Sequence, residues 1–150
     1  MQRYKQFPVT WGRIATILRT HAERGVKAVH LTGGEPTIHP KFIDVLRLAK
    51  KLGMRTSVGT IGTMLKRPEF ADACLPHLDE ALFSIHGPDS ATHDALTGRE
   101  GSFEQVTSAI RYAVSHKPGF GAFVNTVITK MNVDQPVSYT HLTLPTIYAV

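Results

Sequence analysis

The feature that most constrains this chain is the repeated switching of its apolar periodicity between helix and strand. Trp11, Ile14, Ala15, Leu18 and Ala22 share one helical face, and Gly25 is placed to close that helix. Lys27 to Leu31 then reads as a strand that runs into Thr32-Gly33-Gly34-Glu35-Pro36. A second helix carries Phe42, Val45, Leu46 and Ala49 as its buried stripe, with Pro40 in its first turn and Gly53 as its cap. Arg55 to Thr60 is the next strand. A short helix follows, opened by Pro68, and Ala81 to Ile85 is the third strand. His86 to Gly101 reads as a long polar stretch. Ser102 and Gln105 have capping-box spacing for a further helix whose Phe103, Val106, Ile110 and Ala113 face the core. Gly121 to Thr129 is the fourth strand.

Alternation of this kind predicts an α/β fold, a parallel sheet covered by helices. Strand starts near residues 27, 55 and 81 differ by 28 and 26 residues, the pitch of a (β/α) barrel. A barrel of eight units takes about 250 residues. A chain of 150 residues therefore holds about four βα units, a partial TIM-like barrel. Residues 1–134 form the expected core domain. Residues 135–150, QPVSYTHLTLPTIYAV, carry no charged side chain and two prolines. This tail is read as foreign, similar to translated adaptor sequence, with a final strand and polar turn as the plainer alternative.

Composition narrows the function. Hydrophobic residues at 42% and charged residues at 19% suit a globular domain. No apolar run is long enough for a membrane span and the N-terminus has no signal-peptide core, so the expectation is a cytoplasmic protein without a membrane partner. The net charge of +5 comes from scattered basic residues, which gives no nucleic-acid-binding patch. One cysteine, Cys74, lies among Phe70, Ala71 and Leu75 on an apolar helical face and reads as a small core residue. None of the eight histidines has HxxxH or HExxH spacing. His39, His86 and His93 fall in expected loops on the ligand face, and His86 is the one chosen as a candidate for binding.

The glycine pair Gly33-Gly34 stands where a strand meets a loop, the ligand-binding end of parallel α/β folds. It lets a backbone approach a ligand closely, and Glu35 adds an acceptor suited to an ammonium group. By itself this stretch reads better as a tight turn with a solvated Glu. The order LTGGEPTIHP, a strand ending TIGT, FSIHGPD, THDALTG, GSFEQV and VNTVITKMN resembles the radical S-adenosylmethionine superfamily from about Trp11 to Asn132.

That resemblance implies a partial barrel, S-adenosylmethionine as cofactor and a [4Fe–4S] cluster held by a CxxxCxxC loop after the first strand. It implies reductive cleavage of the cofactor to a 5′-deoxyadenosyl radical, which takes hydrogen from a substrate, and an electron donor such as flavodoxin or ferredoxin. The family's GGE stretch maps onto Gly33, Gly34 and Glu35, and Pro36 onto the residue that shapes the turn. Thr60 begins Thr60-Ile61-Gly62, where the family usually has Thr-Asn-Gly, so Ile61 departs from the pattern. Ser84 and Asn125 match polar strand positions facing the cofactor. The cluster cysteines are absent from this chain, and in the family their loop precedes the first matching helix. The expectation is a truncated piece, inactive as it stands, whose small-molecule or peptide substrate is not specified. Two other readings stay open at this point: a barrel enzyme of aldolase or isomerase type with Glu35 as base, and a non-catalytic binding domain that has lost its cluster.

Overall fold

The computed structural model describes residues 9–134 and 147–149. Helix α1 (Trp11–Glu23) leads into β1 (Ala28–Leu31), α2 (Phe42–Lys51), β2 (Arg55–Thr60), α3 (Pro68–Cys74) and β3 (Glu80–Ser84). Then come α4 (Ser90–Thr97), α5 (Ser102–His116), β4 (Gly121–Asn125) and β5 (Ile147–Ala149). All neighbouring strands are parallel, and their spatial order is their order in the chain. A doubly wound sheet reverses its order at a switch point; this sheet never does, which is barrel winding. The sequence-based expectation of a partial barrel is met.

The two faces of the sheet differ in chemistry because side chains alternate along each strand. Val58, Ala81, Phe83, Ile85, Ala122 and Val124 point to one face and are buried. There they pack against Leu46 of α2, Ala71 and Cys74 of α3, and Ile110 and Ala113 of α5. Full burial of a large side chain such as Phe83 contributes about 1.5–3 kcal/mol. The opposite face carries His30, Ser57, Gly59, Leu82, Ser84 and Asn125, none of them fully buried. This is the inner wall of the partial barrel.

Several local expectations shift. The pattern puts Trp11 on the buried face of α1, but Ala15 and Leu18 are the residues buried there and Trp11 is exposed. Pro40 precedes α2, whose N-cap is Lys41. The stretch from His86 to Gly101 contains a helix, α4. Asp89 caps it by accepting from Thr92 N at 2.8 Å, and Gly98 ends it in the left-handed region at φ 66°. β4 ends at Asn125, four residues earlier than the pattern suggested, because Asn132 draws the chain into a turn. Asn132 Nδ2 donates to His86 O at 2.8 Å and to Val127 O at 2.9 Å, and Asn132 is buried.

The capping box assigned to Ser102 is replaced by a carboxylate from α4. Asp94 accepts from Gly101 N at 2.7 Å, Phe103 N at 2.8 Å and Ser102 Oγ at 2.8 Å. A charged acceptor satisfies the orphan N–H groups at the start of α5 better than a neutral hydroxyl does. Those bonds, led by the one from Phe103 N, hold the Asp94 carboxyl below the usual carboxylate range. Gln105, the other half of the expected box, instead donates to Ile61 O at 3.1 Å.

Of the tail, residues 135–146 and 150 lie outside the described residues. Ile147–Ala149 pairs with Ala122–Val124 of β4.

Candidate functional site

The site forms where β1 to β4 end. β1 runs into Thr32-Gly33-Gly34, β2 into Ile61-Gly62, and β3 into His86. Gly33 and Gly34 take φ of 99° and 58°. Those angles explain why both are glycine: side chains there would be strained by the backbone, although each Cβ would meet only open space.

Glu35 holds this corner together. Its Oε1 accepts from Thr37 N at 3.1 Å, from Thr37 Oγ1, and from Thr60 Oγ1 at 2.8 Å. Its Oε2 accepts from Ile61 N at 2.8 Å and lies 3.0 Å from Thr60 Oγ1. A carboxylate offers about four lone-pair directions, and four donor groups converge on this one. Glu35 thus ties the β1 loop to the end of β2. Thr60 Oγ1 also accepts from Gly62 N at 3.0 Å. Gly62 presses on α5, where a Cβ would come within 3.0 Å of Ala109 Cβ and 3.1 Å of Val106 Cα.

Beside this corner lies a cavity of about 150 Å³ on the inner wall. Of the sequence-predicted residues, Gly34, Thr60, Ser84 and Asn125 line it together. Gly33, Glu35 and Pro36 build the adjoining turn. His86 lies off the lining. Its Nδ1 accepts from Val127 N at 3.2 Å, its backbone N donates to His93 Nδ1 at 2.9 Å, and its ring stacks on His93 with centroids 5.7 Å apart. Burial pushes both histidines below the usual imidazole range, His93 further through repulsion from His86. His93, expected in a loop, is buried in α4. His39 is engaged at its own turn, accepting from Lys41 N at 3.1 Å and bonded to Val9 O at 3.2 Å.

Five lining residues escaped the sequence reading: His30, Thr32, Gly59, Ile61 and Leu82. Strand alternation was the available signal, because His30 and Thr32 are in phase with each other, as are Gly59 and Ile61.

Residues 1–141 match the Radical SAM superfamily. The chain belongs to that superfamily. It is 30% identical over 115 residues to the AdoMet-dependent heme synthase of Methanosarcina barkeri, covering 76% of this chain and 32% of that protein. It is 27% identical to the PqqA peptide cyclase of Gluconobacter oxydans, over 83% of this chain and 33% of that one. This radical SAM chain therefore spans about a third of the length of the curated relatives it matches. Its fold is similar to that of Streptococcus suis SuiB bound to S-adenosylmethionine, with a TM-score of 0.77 and 20% identity, over 93% of this chain and 32% of SuiB.

The two groups implied by the family fare differently against these residues. S-adenosylmethionine fits: left-handed glycines present backbone at the strand mouth, and hydroxyl and amide side chains line the adjoining cavity. A [4Fe–4S] cluster does not. Its usual ligands are thiolates, and Cys74 is the single cysteine of the chain. That thiol is buried on the helix-covered face of the sheet, and burial pushes its pKa up to about 12. Among the described residues no group of three His, Cys, Asp or Glu side chains could hold a metal ion. No described helix is long and apolar enough to cross a membrane.

Proposed function

We propose that this chain is the S-adenosylmethionine-binding part of a radical SAM enzyme, with residues 1–134 as the family core and 135–150 as a tail. The observation that supports it best is the cavity shared by Gly34, Thr60, Ser84 and Asn125, residues from four strand ends brought to one mouth. Gly33 and Gly34 offer backbone to the methionyl ammonium, and Pro36 fixes the turn behind them. Ser84 and Asn125 hydrogen-bond the nucleoside side. Glu35 acts through the turn, since its carboxylate is already engaged by Thr37, Thr60 and Ile61. His86 acts through position, linking the β3 end to Val127 and α4.

Bound S-adenosylmethionine supplies, on one-electron reduction, the 5′-deoxyadenosyl radical that takes hydrogen from a substrate. The cluster and its cysteines belong to parts of the protein other than this chain, as does most of the substrate contact. The chain alone is therefore silent. A flavodoxin or ferredoxin in the cytoplasm is the class of electron donor that fits. A peptide is the favoured substrate class over a small metabolite. PqqA peptide cyclase is among the relatives, and a structure of the fold neighbour SuiB is bound to the precursor peptide SuiA.

An aldolase or isomerase reading with Glu35 as base is disfavoured. A general base needs a lone pair open to substrate, and this carboxylate is filled by its own neighbours.

The test is calorimetric titration of S-adenosylmethionine into the purified chain, followed by anaerobic iron and sulfide reconstitution and assay for 5′-deoxyadenosine. Saturable binding without cofactor cleavage is expected. Absence of binding overturns the cofactor reading, and 5′-deoxyadenosine formation overturns the assignment of the cluster to another part of the protein.

A further inference from the structure

We propose that His30, Gly59 and Thr32 form a notch on the inner wall that binds a neutral amide of the substrate, which rests on the cofactor reading above. His30 and Ser57 are direct neighbours across β1 and β2, with Nδ1 and Oγ 2.8 Å apart. Ser57 Oγ also donates to Val29 O at 3.3 Å. A hydroxyl has one proton. Both bonds form together only when Ser57 gives that proton to the carbonyl and His30 Nδ1–H donates to Ser57 Oγ. In the neutral ring His30 Nε2 is then the acceptor, with the ring held from behind.

Nε2 borders a gap that Gly59 leaves open. A Cβ at residue 59 would sit 3.6 Å from His30 Nε2 and 3.6 Å from Thr32 Oγ1. The two polar atoms therefore flank one small space on the cavity wall. An imidazole acceptor beside a hydroxyl that can donate is the complement of an amide, which offers an N–H and a C=O side by side. Charge points the same way. None of the residues lining the cavity is Lys, Arg, Asp or Glu. Arg55 and Glu80, at inner-wall positions, pair with each other at 2.7 Å at the opposite ends of their strands. The cavity lining thus carries no Lys or Arg to select a phosphate or carboxylate, and no Asp or Glu to select an amine.

The notch shares its cavity with Gly34, Thr60, Ser84 and Asn125 but lies apart from the Glu35 hydrogen bonds. His30, Gly59 and Thr32 take no part in the Glu35 hydrogen bonds. A Gly59→Ala side chain would meet both polar atoms at ordinary contact distance, so it fills the notch without displacing backbone.

The experiment uses the whole chain labelled with ¹⁵N-histidine. In the parent, the long-range ¹⁵N–¹H spectrum should show His30 Nδ1 protonated and Nε2 unprotonated. Acetamide, the probe, should shift Nε2 saturably. N,N-dimethylacetamide, which lacks the N–H, and acetate should not. Gly59→Ala should abolish the acetamide response. The acetamide response should be the same with and without saturating S-adenosylmethionine. A protonated Nε2, an equal response to dimethylacetamide or acetate, or an intact response in Gly59→Ala overturns the proposal. So does loss of the acetamide response on saturation with S-adenosylmethionine, which would put His30 in the cofactor subsite. If the parent does not bind S-adenosylmethionine, the cofactor reading fails, while the acetamide titration still judges the notch.

Discussion

Replacing Glu35 by Ala should destabilise the whole chain as well as weaken cofactor binding. The carboxylate receives the N–H of Thr37, the hydroxyl of Thr37, the hydroxyl of Thr60 and the N–H of Ile61. Thr37 and Thr60 are 1% and 3% exposed, so water cannot readily replace the lost acceptor. A hydrogen bond to a charged group contributes about 1.5–3 kcal/mol, and leaving a buried donor unmade costs about 1–3 kcal/mol. These terms are not additive, and Glu35 itself is half-buried, which lets water reach part of the site. A total loss of about 2–4 kcal/mol follows. For a chain of this size that is a fall in melting temperature of roughly 5–15 °C. Glu35→Gln keeps one acceptor oxygen but turns an NH₂ toward Thr37 or Ile61 N–H, so it should lose about half as much. Thermal melts and S-adenosylmethionine titrations of both variants check this. If the carboxylate bound the cofactor's ammonium directly, Glu35→Gln would lose affinity while its melt stayed at the parent's temperature. Because Glu35 braces the turn, stability and affinity should fall together. An unchanged melt in Glu35→Ala refutes the reasoning.

Ser84→Ala should weaken S-adenosylmethionine by about 0.5–1.5 kcal/mol, up to roughly tenfold, with an unchanged melt, as read by calorimetry. Cys74→Ala should leave iron content after anaerobic reconstitution unchanged, and the parent thiol should resist alkylation at neutral pH because burial pushes it up to about 12. His86 and His93 titrate below their ordinary value of 6.5 in the folded chain, so the unfolded chain binds more protons on the acid side. Their contribution to stability is complete above pH 6.5 and is lost as pH falls from there through the folded values; Asp79 and Asp94, held below 3.8, add a second loss at lower pH. Thermal melts across pH should show both steps, and a flat profile down to the carboxylate range would contradict the histidine assignment. Removing residues 135–150 should shift the melt little, since the described part of that tail adds only three residue pairs to β4; a large loss would show that the tail belongs to the core.

Periodicity determined most of the elements, though not α4 or the end of β4. Apolar residues every third or fourth position must form a helix with one buried stripe, and strands joined by such helices must lie parallel. Gly33 and Gly34 were legible because a glycine pair at a strand end has few other uses, and Ser84 because alternation sets its side of the strand. Long-range pairing was not legible. That Asp94 rather than Ser102 caps α5, that Asn132 ends β4, and that Glu35 reaches Thr60 and Ile61 all depend on side chains meeting across 7 to 46 residues. His30 looked like any strand histidine until β2 placed Ser57 behind its ring and Gly59 before it. The sequence by itself determined which face each strand residue takes, since that follows from a local twofold repeat. Only the tertiary structure decided which of those residues share a cavity and which are consumed by their neighbours, because that depends on register between strands, a property no single segment contains.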